Sequence, residues 1–350
     1  MNSRENYLRA ARFQGPEYIP ANIALSAPMW NIYKRDLEKV VLKHPILFPN
    51  YVEGSVDFDS LPEIDLKNLQ DMIVVDKWGC TWSYPICGLD GAVIGHPLED
   101  IDDLDNFKPP VPEIPTLSEE EWKEEIKRVE AAKNRGELVC AGTEHGFLFL
   151  RHTYLRGFEN AMIDYGTDEP RLHEIYDMIL NYWMPVVEYN VKRGVDQFSF
   201  AEDLGTQEAT ILSPADFNKW VKPVYAKLMK PCKDAGILVY LHSDGKTLDI
   251  LEDQIEAGVD IVNPQDLCNG IDNIARRIKG KACIQIDIDR QFVIPYGTPK
   301  DIDDLIKEEV MKLGSKAGGL MMIAGVYPPT PMENLDALCT AVEKYREYWK

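Results

Sequence analysis

Apolar and polar positions along the chain follow two periods. Short, nearly continuous apolar runs read as parallel strands buried on both faces, and longer stretches with apolar residues every three or four positions read as helices. From residue 137 the two alternate regularly. ELVCAGT at 137–143, VDQFSFA at 195–201, ILVYL at 237–241, VDIV at 259–262, ACIQIDI at 282–288 and GLMMIA at 319–324 are strand-like, with helical stretches between them. Ahead of them, 18–25 and 73–75 supply two more strands, while 3–13 and 27–47 are helical, the second broken near its end by Pro45. Helix starts carry their own signatures: Ser118 precedes three glutamates, and Ser213-Pro214-Ala215-Asp216, Thr298-Pro299 and Thr330-Pro331-Met332-Glu333 each set a capping hydroxyl before a proline at the first helical position.

Eight strands with helices between them predict an α/β protein built as a single (β/α)8 TIM barrel with an N-terminal helical excursion. A doubly wound open sheet is the alternative, weakened as a nucleotide binder because no GxGxxG or GxxxxGK[ST] follows any strand. One domain is expected over 1–350, with N-terminal helices and loop excursions in 1–136 and regular β/α units in 137–350. Residues 50–70 read as an acidic surface excursion, and KPPVPEIP at 108–115 as a loop over the barrel's outside.

Composition narrows the partners. A formal net charge of -20 repels nucleic acid, anionic membrane surfaces and highly anionic substrates. Seven cysteines at 80, 87, 140, 232, 268, 283 and 339 form no CxxC pair, so neither a disulfide framework nor a cysteine-rich zinc knuckle is indicated, and a reducing cytoplasm fits. The start, MNSRENYLRAARF, has no apolar leader core, and no stretch approaches a membrane span.

In a barrel the polar residues at the C-terminal strand ends converge on one mouth. The run 237–245, ILVYLHSDG, sets His242 and Asp244 on one side of a strand. His145, Glu202, Asp203, Gln265, Asp289 and Tyr327 stand at other strand ends. The set is rich in oxygen and imidazole donors and poor in thiols, which suits zinc with an open position or acid/base chemistry without metal. Each residue also has an ordinary alternative as a cap or a hydrogen-bonded structural group. Strand parity favours Asp203 as inward over Glu202, because Phe198 and Phe200 share the glutamate's face; a bulge would reverse this. His152 and His173 lie within helical stretches and read as structural.

At these strand ends the chain resembles the uroporphyrinogen decarboxylase superfamily, which includes the corrinoid-dependent methyltransferases of methanogens and acetogens. The likeness runs through YLRAARFQGPEYIP, DKWG, LRGFENAM, EDLGTQ with SPADF, HSDG with EAGVDIVNPQ, QIDIDRQFVIPYGTP and GGLMMIAGVYPPTPMENL. It implies a (β/α)8 barrel with its site at the C-terminal mouth. True decarboxylases carry an arginine-rich RQAGRY-type segment after the first strand to hold a polycarboxylate porphyrinogen; here the stretch is ALSAPMWNIYKR, with no arginine before Arg35. The methyltransferase branch holds zinc through an HxC motif and a later cysteine. His242 matches the histidine, Asp244 replaces the first cysteine, and Val326 stands where the second would fall.

The resemblance therefore implies a methyltransferase that demethylates a small O-methylated compound, such as an aryl methyl ether, and passes the methyl group to cobalamin carried by a partner corrinoid protein. The expected cofactor is zinc, with His242, Glu202 and Asp244 as ligands. Asp203, Asp289, His145 and Tyr327 are the expected catalytic residues, and Trp30, Trp78, Phe147 and Gln265 the expected substrate-binding residues, with Trp82 a further aromatic wall. The expected partners are the corrinoid protein and a small-molecule methyl donor, with no nucleic acid, no membrane and a homodimer left open. A lyase acting on a small carboxylate and a non-catalytic ligand-binding barrel are the alternatives.

Overall fold

The computed structural model of the chain describes residues 1–61, 71–85 and 91–349. Cys87 and residues 62–70 of the expected excursion at 50–70 lie outside the described residues. Seven parallel strands form the main sheet: β1 (Ala21–Leu25), β5 (Cys140–His145), β6 (Gln197–Asp203), β7 (Leu238–Asp244), β8 (Ile261–Pro264), β9 (Cys283–Asp287) and β10 (Leu320–Val326). Three further strands, β2 (Met72–Val75), β3 (Thr81–Tyr84) and β4 (Ala92–Gly95), form a separate antiparallel sheet.

The main sheet runs β1-β10-β9-β8-β7-β6-β5. Chain order never reverses across it, and the first strand pairs with the last, Ala21 opposite Met322 and Leu25 opposite Val326. A doubly wound sheet would change direction at a switch point. The architecture is thus barrel-like, with helices packed around a curled parallel sheet, and the expected barrel class holds. The expected strand at 73–75 forms, but not in the barrel. Met72–Val75 pairs with Thr81–Tyr84 through a tight turn in which Asp76 Oδ1 accepts the Trp78 and Cys80 backbone N–H groups, both at 2.9 Å. A hairpin between sequence neighbours closes a shorter loop than a crossover into the main sheet would need.

Burial along β6 and β7 reveals the barrel's inside. Phe198, Phe200 and Glu202 are fully buried against the helices, whereas Ser199, Ala201 and Asp203 are only partly covered. In β7 the same alternation turns Tyr240, His242 and Asp244 inward. The expected caps mostly form: Ser118 and Thr298 make reciprocal capping boxes, and Ser213 accepts the Asp216 N–H. The last helix, Met332–Tyr345, differs, because Pro331 stands at its N-cap and Thr330 makes no capping bond. The 27–47 helix ends at Lys43 and is interrupted by non-helical backbone at Lys34. No described helix is long and apolar enough to cross a membrane.

The first helix, Ser3–Ala11, closes the end of the barrel opposite the mouth. Ala10 and Ala11 pack on Leu238, Ile261, Cys283 and Met321 from four neighbouring strands. A polar clasp fixes the helix: Arg4 donates to both oxygens of Asp196 at 2.9 and 2.7 Å, and Tyr7 donates to Gln197 at 2.7 Å. Burial raises the Asp196 carboxyl, but Arg4, the Val139 N–H and Lys133 outweigh it and hold the group below the usual aspartate range. The stability from this group is therefore complete above that range and lost as pH falls through it. Asp196→Asn should be less stable than wild type near neutrality and lose less stability on acidification below about pH 4, as read from urea midpoints across pH.

Candidate functional site

The mouth is built by the inward faces of β5 to β9. The register sets Asp203 beside Asp244, Ala201 beside His242, and His242 beside Asn263. Two groups of side chains result, each with potential ligand atoms within 4.8 Å of one another: His145 with Asp203 and His242, and His242 with Asp244 and Asp287. His242 belongs to both. His145 Nε2 lies 3.2 Å from Asp203 Oδ1, and the His145 and His242 rings are 6.0 Å apart.

The protonation pattern of His242 follows from a buried amide. Asn263 donates through Nδ2 to the Gln285 carbonyl at 2.6 Å, which turns its Oδ1 toward Tyr240 and His242. That oxygen accepts the Tyr240 hydroxyl at 2.8 Å and lies 2.6 Å from His242 Nδ1. An amide oxygen can only accept, so Nδ1 carries a proton and the second ring nitrogen, Nε2, is left to face the mouth. Nε2 faces Asp244 Oδ1 at 3.4 Å, an oxygen with no proton to offer when ionised. A ring nitrogen facing carboxylates, backed by a hydrogen bond on the other ring nitrogen, is an arrangement that a metal-ligating histidine adopts.

The carboxylates are not equivalent. For Asp203, burial works upward, but His145's hydrogen bond and the charges of His145 and His242 prevail and keep it below the usual range. Asp244 is already engaged: Arg290 Nη2 lies 2.5 and 2.6 Å from its two oxygens, and Gln265 Nε2 donates to Oδ1 at 3.1 Å. Asp287, which sequence reasoning passed over, is almost fully buried, and its Oδ1 has no hydrogen-bond partner among the described residues. Burial pushes its carboxyl up to about 6, against the opposing pull of Arg290 and His242. The signal in the sequence was the alternation in QIDID, which puts Gln285 and Asp287 on the inward face before the strand ends.

Several expected residues stand elsewhere. Glu202 is not with the ligand groups. Its carboxylate accepts the N–H groups of Leu148, Phe149 and Leu150 at 2.8, 2.7 and 2.9 Å, capping the helix Phe149–Arg156 from beneath. Burial raises this carboxyl to about 7, opposed by those three N–H bonds. Asp289 also caps, accepting from Gln291, Phe292 and Val293, so Arg290 is held by Asp244 and Asp287 instead. Trp78 and Phe147 are core residues: Trp78 packs on Tyr182, and Phe147 on Phe200 and Tyr225. Trp30 stacks on Tyr51 and Phe58, away from the cluster's contacts. Gln265 bridges the Gly245 N–H and Asp244, positioning the aspartate. Tyr327 is more than one third exposed and lies beneath the Arg290 guanidinium, 6.0 Å from ring centre to carbon. His152 is structural as expected, buried between Asp164 and Tyr165.

The close of ILVYLHSDG has a steric role. Gly245 adopts φ +82°, and a Cβ there would collide with the Gly205 carbonyl, so the loops after β6 and β7 can approach only with glycine at this point.

A barrel of this form, with imidazoles and carboxylates gathered at the C-terminal strand ends, defines a mouth-centred α/β barrel enzyme. Residues 71–345 match the family described as uroporphyrinogen decarboxylase (URO-D), and the chain belongs to that family. It is 26% identical to a uroporphyrinogen decarboxylase of Thermus thermophilus over 254 residues, covering 70% of this chain and 69% of that protein. A uroporphyrinogen decarboxylase of Prochlorococcus marinus is 25% identical over 170 residues, 47% of this chain and 44% of that one. Among solved structures, a methyltransferase from Methanosarcina mazei superposes with TM-score 0.62 at 16% identity over 99% of both chains, a likeness of fold.

The division between cap and ligand is testable. Glu202→Gln replaces one acceptor oxygen by a donor facing backbone N–H groups and should cost about 1–3 kcal/mol in chemical denaturation. The ultraviolet spectrum of the folded protein should stay unchanged.

Proposed function

We propose that the protein is a methyltransferase of this family that takes the methyl group from a small O-methylated compound and passes it to the cob(I)alamin of a separate corrinoid protein. The carrying observation is the placing of His242, whose Nδ1 is held by the Asn263 amide oxygen at 2.6 Å so that Nε2 faces the carboxylates beside His145. The donor set fits zinc: two imidazoles and a carboxylate from His145, Asp203 and His242 leave an open position, and the orphaned oxygen of Asp287 lies in the adjoining group. This revises the expected ligands, since Glu202 is committed to a helix and Asp244 to Arg290.

Zinc held by these residues would supply Lewis-acid polarisation of the ether oxygen. The chain's own residues do the rest. Asn263 and Tyr240 hold the His242 ring, Arg290 and Gln265 hold Asp244, and Asp203 orients His145. With oxygen and nitrogen donors and no thiolate, the site suits activation of an oxygen leaving group better than generation of a thiolate nucleophile.

Decarboxylation of a porphyrinogen fits less well. Arg35, the first arginine after β1, is largely exposed, pairs with Glu38 at 3.5 Å and sits over Phe58. Arg290, at the mouth, is taken up by Asp244 and Asp287, so it is not free to hold a substrate carboxylate, which also counts against the small-carboxylate lyase.

Methyl-cob(III)alamin formation across a panel of methoxylated compounds, with zinc and the cognate corrinoid protein present, tests the reading. Turnover with at least one compound is expected; its complete absence sinks the proposal. Elemental analysis of the purified protein offers a second check. His242→Ala and Asp203→Ala should lose stoichiometric zinc, whereas Glu202→Gln should retain it.

A further inference from the structure

Two clefts flank the imidazole cluster. One, of about 250 Å3, lies on the β8–β9 side and includes Gln265, Asp287 and Arg290. The other, of about 340 Å3, lies between the small antiparallel sheet and the helix Phe149–Arg156, and is lined by Trp82, Tyr84, Tyr154 and Arg151 together with His145 and Asp203. The second cleft shares two members of the proposed ligand group, and its other wall is aromatic.

That wall is assembled before any ligand arrives. Trp82 and Tyr84 are two apart on β3 and so share a face; their rings stack at 5.9 Å and 17°. Tyr154 meets Trp82 edge-on at 4.9 Å and 70°. All three rings are only partly covered. The Trp82 indole N–H donates to Asp76 Oδ2 at 3.0 Å, and Arg151 Nη1 donates to the same oxygen at 2.9 Å. With Asp76 Oδ1 taken by the hairpin turn, the ring cannot swing without breaking a partly buried charged network. A fixed platform lowers the entropy cost of stacking a guest on it.

The charges decide which guest. Asp76 and Glu144 are matched by Arg151, which pairs with both, and by Lys77, 3.1 Å from Glu144. Among the described residues the aromatic end therefore carries no uncompensated carboxylate to draw a quaternary ammonium ion, and no spare cation to draw a carboxylated ring. A neutral aromatic ring fits, and the volume suits one ring, being at the small end of ligand pockets.

We infer that this cleft is the subsite for the methyl donor's aromatic ring, a neutral methoxylated benzene seated on Trp82, Tyr84 and Tyr154 with its ether oxygen toward His145 and Asp203. The inference rests on the methyltransferase reading for the chemistry, but the site itself can be tested without turnover. Of the expected aromatic walls it keeps Trp82 and sets aside the others, since Trp78 and Phe147 are core and Trp30 packs with Tyr51 and Phe58.

Calorimetric titration of the full chain with 2-methoxyphenol is the test. Wild type should bind saturably, Trp82→Ala should bind about tenfold more weakly or worse, and Trp82→Phe should recover most of the affinity. Tyr84→Leu, weakened to a similar degree, carries the test if Trp82→Ala does not fold. Absence of binding to wild type, equal binding by the ring-deleted variants, or preference for tetramethylammonium over 2-methoxyphenol would each overturn the subsite. Ring binding that depends on Trp82 without methyl transfer keeps the subsite and defeats the methyltransferase reading. Methyl transfer from methanol or an aliphatic ether, indifferent to Trp82→Ala and without binding of 2-methoxyphenol, does the reverse.

Discussion

Adjacent residues of a strand leave it on opposite faces, and at the end of β6 this separates two neighbouring carboxylates completely. Glu202 goes outward into the helix layer and Asp203 inward to the mouth. The outward one is bound by three backbone N–H groups, so the helix Phe149–Arg156 starts where it does because β6 supplies its cap. That helix carries Arg151 and Tyr154, which form one wall of the aromatic cleft. The inward carboxylate meets His145 and the His242 group. One strand end thus positions both the chemical cluster and the wall beside it, and a slip of one residue in β6 would exchange the two roles and leave neither satisfied.

The second constraint works at the next strands. Asn263 cannot rotate its amide without losing the Gln285 carbonyl and presenting donors to Tyr240 and His242. It therefore transmits a backbone feature of β9 to the proton position on a β7 imidazole. Such outer contacts set ring orientation and basicity as much as the inner ligands do. The same division holds around Asp244, which Arg290 and Gln265 hold in place, and around Asp287, whose burial keeps one oxygen without a partner.

Much of the fold was legible in the sequence because parallel strands buried on both faces are long apolar runs, and seven of the eight expected strands are in the barrel sheet. The exception, 73–75, shows the limit: three apolar residues state that a strand exists but not which sheet receives it, and the nearby DKWGC turn decided that. The place of the candidate site was legible for the same reason, since polar residues ending apolar runs must face the mouth or cap a helix. Which of the two each does depends on one residue of phase. Parity favoured Asp203 over Glu202, and the structure agrees, but at β9 the strand ends at Asp287, so Asp289 is already in the loop and turns back as a cap. The aromatic wall was harder to find. Trp78, Trp82 and Tyr84 fall in one short stretch, and only the hairpin's pairing sends Trp78 into the core and the other two to the cleft.

The replacement in HSDG takes its meaning from these contacts. An aspartate two residues after the histidine suggests a direct exchange of thiolate for carboxylate, yet both Asp244 oxygens lie against Arg290, and a cation placed there would compete with a guanidinium already in contact. Val326 is fully buried at the end of β10 and offers nothing in compensation. On the other side of His242 stand Asp203 and His145, with the aromatic cleft beyond them, whereas on the Asp244 side Asp287 Oδ1 is the carboxylate oxygen without a partner among the described residues. The group formed by His145, Asp203 and His242 lies on β5, β6 and β7, away from β10. The aromatic wall that β3 and the Glu202-capped helix build stands beside that group, because His145 and Asp203 line the same cleft as Trp82, Tyr84 and Tyr154.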